Sequence, residues 1–347
     1  MAKITILGAG ITGLAIAHEL TSRGHAVTII ARDLPTPRMD LAHATQGWAS
    51  PWAGACFLGL DGATPHEQGM QREAFHTLWT LAETNPESSV RRIEMHDLQD
   101  TTPLEQIWYR DLMPEFRVMA PAELPSGCRL GMAYMSVVLN PVVFLPWLRK
   151  KLEKAGVRFV KREVGSLEEL KGQGHNVLVN ATGWGAKFLG GVVDAAVQQI
   201  RGQTLLVKTS YGKIFMRHGK DYTYCIPRLD GTAVLGGIKQ VGNTDPRVDE
   251  NLKMDICNRV SANLPYIFST FPADFELVRD NVGIRPGREG GVRVEKDVID
   301  SQKVVHAYAD MIGPGVGGGG YCFSFGVGKV VGDLVGEILS ASPQVKL

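Results

Sequence analysis

Cysteine is scarce and unpatterned in this chain. Its five residues, Cys56, Cys128, Cys225, Cys257 and Cys322, include no Cys-x-x-Cys pair. An odd, scattered set excludes a disulfide framework and a zinc site, and fits buried thiols in a reducing compartment. An excess of either charge sign is missing too. Lys plus Arg number 37 against 36 Asp plus Glu, a formal net charge of +1. The global basic field that draws a nucleic acid is therefore excluded. No apolar run reaches the roughly 18 residues a membrane-spanning helix needs. With 44% hydrophobic and 21% charged residues, intrinsic disorder is excluded as well. Glycine is what the chain has in excess: 40 of 347 residues, about 11.5% against a usual figure of about 7%. A chain of this length is a prior for two or three domains of about 100–200 residues each.

Residues 3–17, KITILGAGITGLAIA, look superficially like the apolar core of a signal peptide. Three glycines interrupt the stretch and it runs into His18-Glu19 with no small-residue cleavage site, so a buried strand, a turn and a helix fit better. The strand is Ile4 to Leu7, the helix carries Ile11, Leu14, Ala15 and Leu20, and a second strand runs from Ala26 to Ala31. Gly8, Gly10 and Gly13 form G-x-G-x-x-G at the first strand-to-helix turn. Such glycines allow a tight turn, let a pyrophosphate approach the backbone and pack the helix closely on the strand. The helix start then offers free N–H groups to the phosphates. The acid expected about 20 residues on is Asp33, arriving late and beside Arg32. That leaves both NAD and FAD open.

Residues 34–66 are rich in Pro, Gly, Ala and Trp and read as an extended segment covering a ligand. Helical periodicity begins at His76, and residues 98–130 read as loops and short elements. A helix opens at Pro141 with Gly156 as its stop, followed by strands at 157–161 and 176–180. After Arg201 come short alternating strands at 203–208, 213–217, 222–227 and 232–238, then a helix from Asp249 to Asn263 and a strand from Phe275 to Arg285. A strand from Val304 to Tyr308, a glycine cluster and a helix from Val327 to Leu339 close the chain. The fold class is α/β: a discontinuous Rossmann-like nucleotide domain (1–75, 141–200, 292–347) and a mostly antiparallel sheet domain for substrate (76–140, 201–291).

Nine strings, in order along almost the whole chain, carry a resemblance to a known family. They are GAGITGL (8–14), ARDLP (31–35), ASPWAGA (49–55), VNATGWGA (179–186), IRGQT (200–204), TYCIP (223–227), GIRPGREGG (283–291), VVHAY (304–308) and GGGGYCFSFG (317–326). Together they resemble the D-amino acid oxidase and D-aspartate oxidase family of flavoproteins. The resemblance implies FAD as cofactor and oxidative deamination of a D-amino acid, with oxygen reoxidising the flavin. It also implies roles for named residues. Arg285 would clamp the substrate α-carboxylate with its guanidinium fork. Tyr224, with Tyr222 as the alternative bearer, would reach the same carboxylate, and the Gly318 carbonyl would hold the amino group. Gly8, Gly10, Ile11 and Gly13 would face the pyrophosphate, and Arg32 and Asp33 the adenosine half, with Val164 near adenine. Ala49, Ser50 and Gly54 would line the flavin, and Thr182, Gly183 and Trp184 the phosphate–ribitol region. Gly317, Gly319, Gly320, Tyr321 and Cys322 would lie at the flavin's far end. His306 resembles a structural histidine, and His43 and His218 are weaker candidates still. No side-chain base is required, because the cofactor carries the hard step, and no metal is implied.

Two cations bear on substrate choice. Arg217 stands seven residues before Tyr224, where acidic-substrate members of the family carry an arginine, and Lys239 in GGIKQ stands where they carry a second. Both reaching a side-chain carboxylate would favour D-aspartate and D-glutamate. Lys239 lacks the fork of an arginine, and Gly59 stands where mammalian D-aspartate oxidases have a histidine. Neutral D-amino acids are the alternative within the family. A nicotinamide-dependent dehydrogenase and a non-catalytic nucleotide module are the alternatives outside it. The partners expected are the D-amino acid and oxygen, with no nucleic acid or membrane, and homo-oligomer formation is left open. The six residues from Ala309 to Pro314 depart from the family pattern and are expected to form a bulged loop or to shift the Gly318 carbonyl. Val345-Lys346-Leu347 lies one residue from the peroxisomal address Ser-Lys-Leu.

Overall fold

The computed structural model describes residues 1–341, apart from residues 38, 40, 42, 43, 46, 309, 314, 315 and 318. The expectations for His43, Gly318 and the Val345–Leu347 address fall outside the described residues. So do those for Ala309 and Pro314.

A run of β-branched and aliphatic residues with no polar face needs cover on both sides. Lys3–Leu7 is such a run, and it pairs in parallel with Ala26–Ala31 on one side and Val177–Asn180 on the other. The full order of this six-stranded sheet is Arg293–Ile299, Gln302–Tyr308, Val177–Asn180, Lys3–Leu7, Ala26–Ala31 and Arg158–Lys161. Every pair is parallel except the edge hairpin Arg293–Ile299 with Gln302–Tyr308. Among the described residues the helices are α1 (Ile11–Ser22), α2 (Pro65–Thr84), α3 (Pro141–Lys154), α4 (Glu250–Asn263) and α5 (Gly320–Ser340). Helix α5 packs against both α1 and α2. It does so at backbone distance: a Cβ on Gly326 would stand 1.9 Å from the Met70 carbonyl oxygen.

The second sheet has eleven strands and is mostly antiparallel. Its centre runs Glu276–Arg288, Val197–Lys208, Thr232–Gly236, Thr223–Pro227, Ile214–His218, Arg91–Gln99 and Leu130–Val138. One pair inside that run is parallel, Ile214–His218 with Arg91–Gln99.

Several boundaries differ from the sequence expectation, each for a local reason. Helix α2 starts at Pro65, not His76, because Thr64 builds a capping box: the Glu67 N–H donates to Thr64 Oγ1 at 3.3 Å, and Glu67 Oε2 accepts from the Thr64 N–H at 2.9 Å. A domain boundary between residues 75 and 76 would therefore cut a helix that continues to Thr84. Helix α5 starts at Gly320 rather than Val327, its first turns hidden in a glycine-rich string. The described part of the inserted segment, Asp310–Gly313, is a strand rather than a bulged loop. Asp310 and Met311 pair with Gly287 and Arg288, extending the large sheet. Arg91–Gln99 was not expected as a strand because Asp97 and Gln99 occupy its buried face in line with Ile93 and Met95.

Asp97 is fully buried and accepts the hydroxyls of Tyr109 and Tyr134 at 2.7 and 2.9 Å. His218 Nε2 stands 3.5 Å from its other oxygen. Burial pushes the Asp97 carboxyl up to about 6, and burial raises neighbouring Asp61 as well. The unfolded chain gives up the Asp97 proton near 4, before the folded one does. What Asp97 contributes to stability is therefore fully present below that pH and is lost as pH rises toward 6, on the order of 3 kcal/mol at about 1.4 kcal/mol per pKa unit. In Asp97→Asn a carboxamide oxygen still accepts from both phenols. Urea midpoints between pH 4 and 6.5 are expected to fall at most half as far as in the wild type, and an equal fall would show that another group carries the effect.

Candidate active site

One cavity runs from the carboxyl ends of the parallel strands to the inner face of the large sheet. Its first end is built by backbone. Lys3–Leu7 ends in Gly8, whose φ of +115° is open to glycine, and a Cβ there would stand 2.3 Å from the Ala181 carbonyl oxygen. Gly13, one turn into α1, lies against the Gly8 carbonyl, 2.1 Å from where its own Cβ would be. Gly10 caps α1 without a side chain, and the Ile11 N–H donates to Ser50 Oγ at 2.9 Å. The helix therefore presents its first-turn amides and its positive end to the cavity, an arrangement that binds phosphate.

Arg32, Asp33 and Val164 line the same end. Asp33 Oδ2 accepts from Arg32 Nε at 3.0 Å and from Thr45 Oγ1 at 2.7 Å. Ala49, Ser50, Gly54, Thr182, Gly183 and Trp184 line its middle. Asn180 holds the Thr182 hydroxyl at 2.7 Å, and Trp184 Nε1 donates to the Gly47 carbonyl at 2.8 Å. Gly319, Gly320, Tyr321 and Cys322 bring in the start of α5, with the Tyr321 hydroxyl donating to the Ser50 carbonyl at 3.1 Å. Gly317 belongs to a two-residue strand, where it pairs with Ile312. His306 is buried between Asn180 and Asp297, and burial lowers its pKa, which suits a structural imidazole.

The pleat of the large sheet sets the far end, since alternate residues share a face. Tyr224 pairs with Met216 and Gly283 with Gly202, and these four with Arg285 line the cavity. The Arg285 guanidinium lies over Gly202 and donates from Nη2 to the Ile238 carbonyl at 2.6 Å. Tyr222 and Tyr224 stand edge to face, ring centroids 5.7 Å apart, and burial pushes both phenols up. Lys239 is not on the cavity wall. It lies behind it, with Nζ 4.2 Å from the Tyr222 ring centroid. Burial first, and the charge of Arg285 second, bring its ammonium down to about 7.

Arg217 is a correction. Met216 takes the cavity face, so Arg217 takes the other. There it is buried against Asp100 Oδ1 at 2.9 Å and Asn263 Oδ1 at 3.0 Å, and the Ser126 carbonyl accepts at 3.2 Å. It is not brought to Arg285 and Lys239. Parity within the predicted strand would have revealed this, because residues 216 and 224 face each other across the hairpin and 217 must then point away. The same parity finds Met216. Two wall residues belong to no motif: Trp48, which the ligand-covering reading of residues 34–66 included without singling out, and Asn281, which had no sequence signal.

The sequence profile of a family described as FAD dependent oxidoreductase (DAO) matches residues 3–334. The chain is 32% identical to a D-amino-acid oxidase of Schizosaccharomyces pombe, over 99% of this chain and 97% of that one. It is 33% identical to a D-aspartate oxidase of Talaromyces thermophilus, over 96% and 95%. Among solved structures it is similar to L-proline dehydrogenase from P. horikoshii, with TM-score 0.75, 14% identity and 97% and 93% coverage. Glycine oxidase from Geobacillus kaustophilus gives 0.72, 19%, 97% and 95%. The backbone cradle, with no side chain at Gly8 or Gly13 and the uncapped start of α1 facing the cavity, fits an FAD. In Gly8→Ala the added methyl must displace Ala181, so FAD affinity measured by flavin fluorescence is expected to fall at least tenfold. Unchanged affinity would mean that the loop does not bear on the cofactor.

Proposed function

We propose, from the premise that this chain belongs to the DAO family of FAD dependent oxidoreductases, that it oxidises D-amino acids and prefers D-aspartate and D-glutamate. The balanced reaction takes D-amino acid, oxygen and water to a 2-oxo acid, ammonia and hydrogen peroxide. The observation that carries this reading is the meeting of Arg285 with Tyr222 and Tyr224 at one end of a cavity whose other end is the phosphate loop. FAD, when bound, supplies the two-electron acceptor for the Cα–H bond. The protein's share is placement. Arg285, held by the Ile238 carbonyl, is pre-oriented to take the α-carboxylate by its fork, and the Tyr224 hydroxyl adds a donor. Burial keeps that phenol protonated, hence a donor, throughout the neutral range.

Lys239 supports the acidic preference alone, now that Arg217 is committed elsewhere. Its ammonium on the Tyr222 ring is a cation behind the cavity wall, close enough to Arg285 for each to feel the other. A second reading, neutral D-amino acids, is favoured by Leu58, Met216 and Ile226, which make the same end of the cavity apolar.

Anaerobic bleaching of the flavin by D-Asp, D-Ala and L-Asp tests the assignment. Bleaching by D-Asp well ahead of D-Ala, with none by L-Asp, is expected, and faster bleaching by D-Ala selects the second reading. Arg285→Lys keeps the charge and loses the fork, so kcat/KM is expected to fall about a thousandfold for every substrate, and a loss under tenfold would remove the clamp. Lys239 is charged below about pH 7 and neutral above it. The D-Asp to D-Ala ratio of kcat/KM is therefore expected to drop between pH 6 and 8.5. In Lys239→Met it should be about tenfold lower at pH 6, on the scale of about 1.4 kcal/mol for a partly screened pair, and flat with pH. A wild-type profile in that variant would take Lys239 out of substrate choice.

A further inference from the structure

Arg228 follows the strand Thr223–Pro227, its N–H donating to the Thr232 carbonyl at 2.8 Å. Only 6% of the residue is exposed. Among the described residues no carboxylate forms an ion pair with its guanidinium. Instead Nε donates to the Gly54 carbonyl at 3.1 Å and Nη2 to the Ala53 carbonyl at 3.2 Å. Burial first, and the proximity of Arg279 second, loosen its proton to about 10, still charged at neutral pH. Burying a cation on two neutral oxygens is costly, and an apolar side chain would fill the space at lower cost. The arrangement calls for a purpose beyond packing.

The segment it grips is the wall assigned to the flavin. Ala53 and Gly54 line the cavity, and the same segment is fixed from two other sides. Ser50 Oγ accepts from the Ile11 N–H of α1, and the Ser50 carbonyl accepts from Tyr321 of α5. Arg228 is the third hold, reaching in from the large sheet. The Ala53–Gly54 peptide is trans and planar, so a carbonyl turned to Arg228 turns the Gly54 N–H the opposite way. That N–H has no acceptor among the described residues.

We propose that Arg228 is a positioning residue for the cofactor: its fork on the Ala53 and Gly54 carbonyls aims the Gly54 N–H at the flavin ring, and its charge behind that wall makes the flavin easier to reduce. The inference rests on FAD binding in this cavity and not on which D-amino acid is oxidised. A fixed cation close to a flavin stabilises the negative charge gained on reduction. A donor already aimed at the ring adds affinity without reorganisation at binding.

The test uses FAD-loaded wild type, Arg228→Met and Arg228→Lys. Three readouts need no amino-acid substrate: FAD dissociation by fluorescence, the reductive equilibrium with a reference dye, and the thermal midpoint at saturating FAD. Arg228→Met is expected to weaken FAD at least thirtyfold and to shift the dye equilibrium at least tenfold toward oxidised flavin. Arg228→Lys, which keeps the charge and loses the fork, is expected to restore the dye equilibrium to within threefold while FAD stays at least fivefold weaker. A lower melting temperature in Arg228→Met with an unchanged dye equilibrium and FAD affinity would overturn the proposal. Should Arg228→Met fail to fold, Arg228→Lys decides alone, and wild-type FAD affinity there overturns it. If wild type itself binds no FAD, the cofactor assignment has failed; if it binds FAD but no D-amino acid bleaches it, only the substrate reading has.

Discussion

Three backbone segments meet in this protein with no side chain between them. The Gly8 carbonyl faces Gly13 of α1, and the Ala181 carbonyl faces Gly8. Distances near 2 Å to the missing Cβ positions mean that a strand, a helix start and the end of a second strand share one point. The cavity is registered against that point. Ser50 is tied to the N–H of Ile11, Tyr321 is tied to Ser50, and Thr182 stands one residue past Ala181. A shift of an ångström there would move the phosphate end, the middle and the far end together. Main-chain contact is a stiffer anchor than side-chain packing, because it has no rotamers to yield.

Electrostatics in the large sheet follows from its two faces. Arg217 and Arg285 lie on strands of one sheet and have opposite fates. Arg217, on the side covered by α4, is neutralised by Asp100 and supported by Asn263. Arg285, on the cavity side, keeps its fork near the phenols and donates to the Ile238 carbonyl. A third arginine, Arg201, is buried and donates to the Asp245 and Arg247 carbonyls and to the Gln240 amide oxygen, which pins the chain between Gln240 and Arg247 just beyond Lys239. Cations placed on neutral oxygens keep their charge available to what lies nearby. A near-neutral total conceals this division.

Much of this could be read beforehand, and the rest failed for definable reasons. Strands buried on both faces and the glycines of the first turn announce themselves by composition, so the parallel sheet and its phosphate loop were legible. Arg285 and Tyr224 were legible by family pattern, and alternation in the sheet does bring them to one cavity. Arg217 was misjudged because linear spacing was used where the face of a pleat decides. The strand Arg91–Gln99 does not announce itself because its inward row ends in an acid, held by two tyrosine hydroxyls from elsewhere in the chain, and an amide that donates to that acid. Its polarity is satisfied only in three dimensions. The start of α5 was missed for the opposite reason, since its glycines serve contact with α2 and look locally like a turn.

The contact between α1 and α5 joins residues 11–22 to residues 320–340. During synthesis the amino-terminal strand and helix leave the ribosome long before α5 exists. Until then the surface that Gly326 and Gly328 will cover stays open to water. Burial of that surface therefore waits on a contact of long sequence separation, the kind that slows folding. The wall built by Gly319, Gly320, Tyr321 and Cys322 is the last part of the cavity to be synthesised.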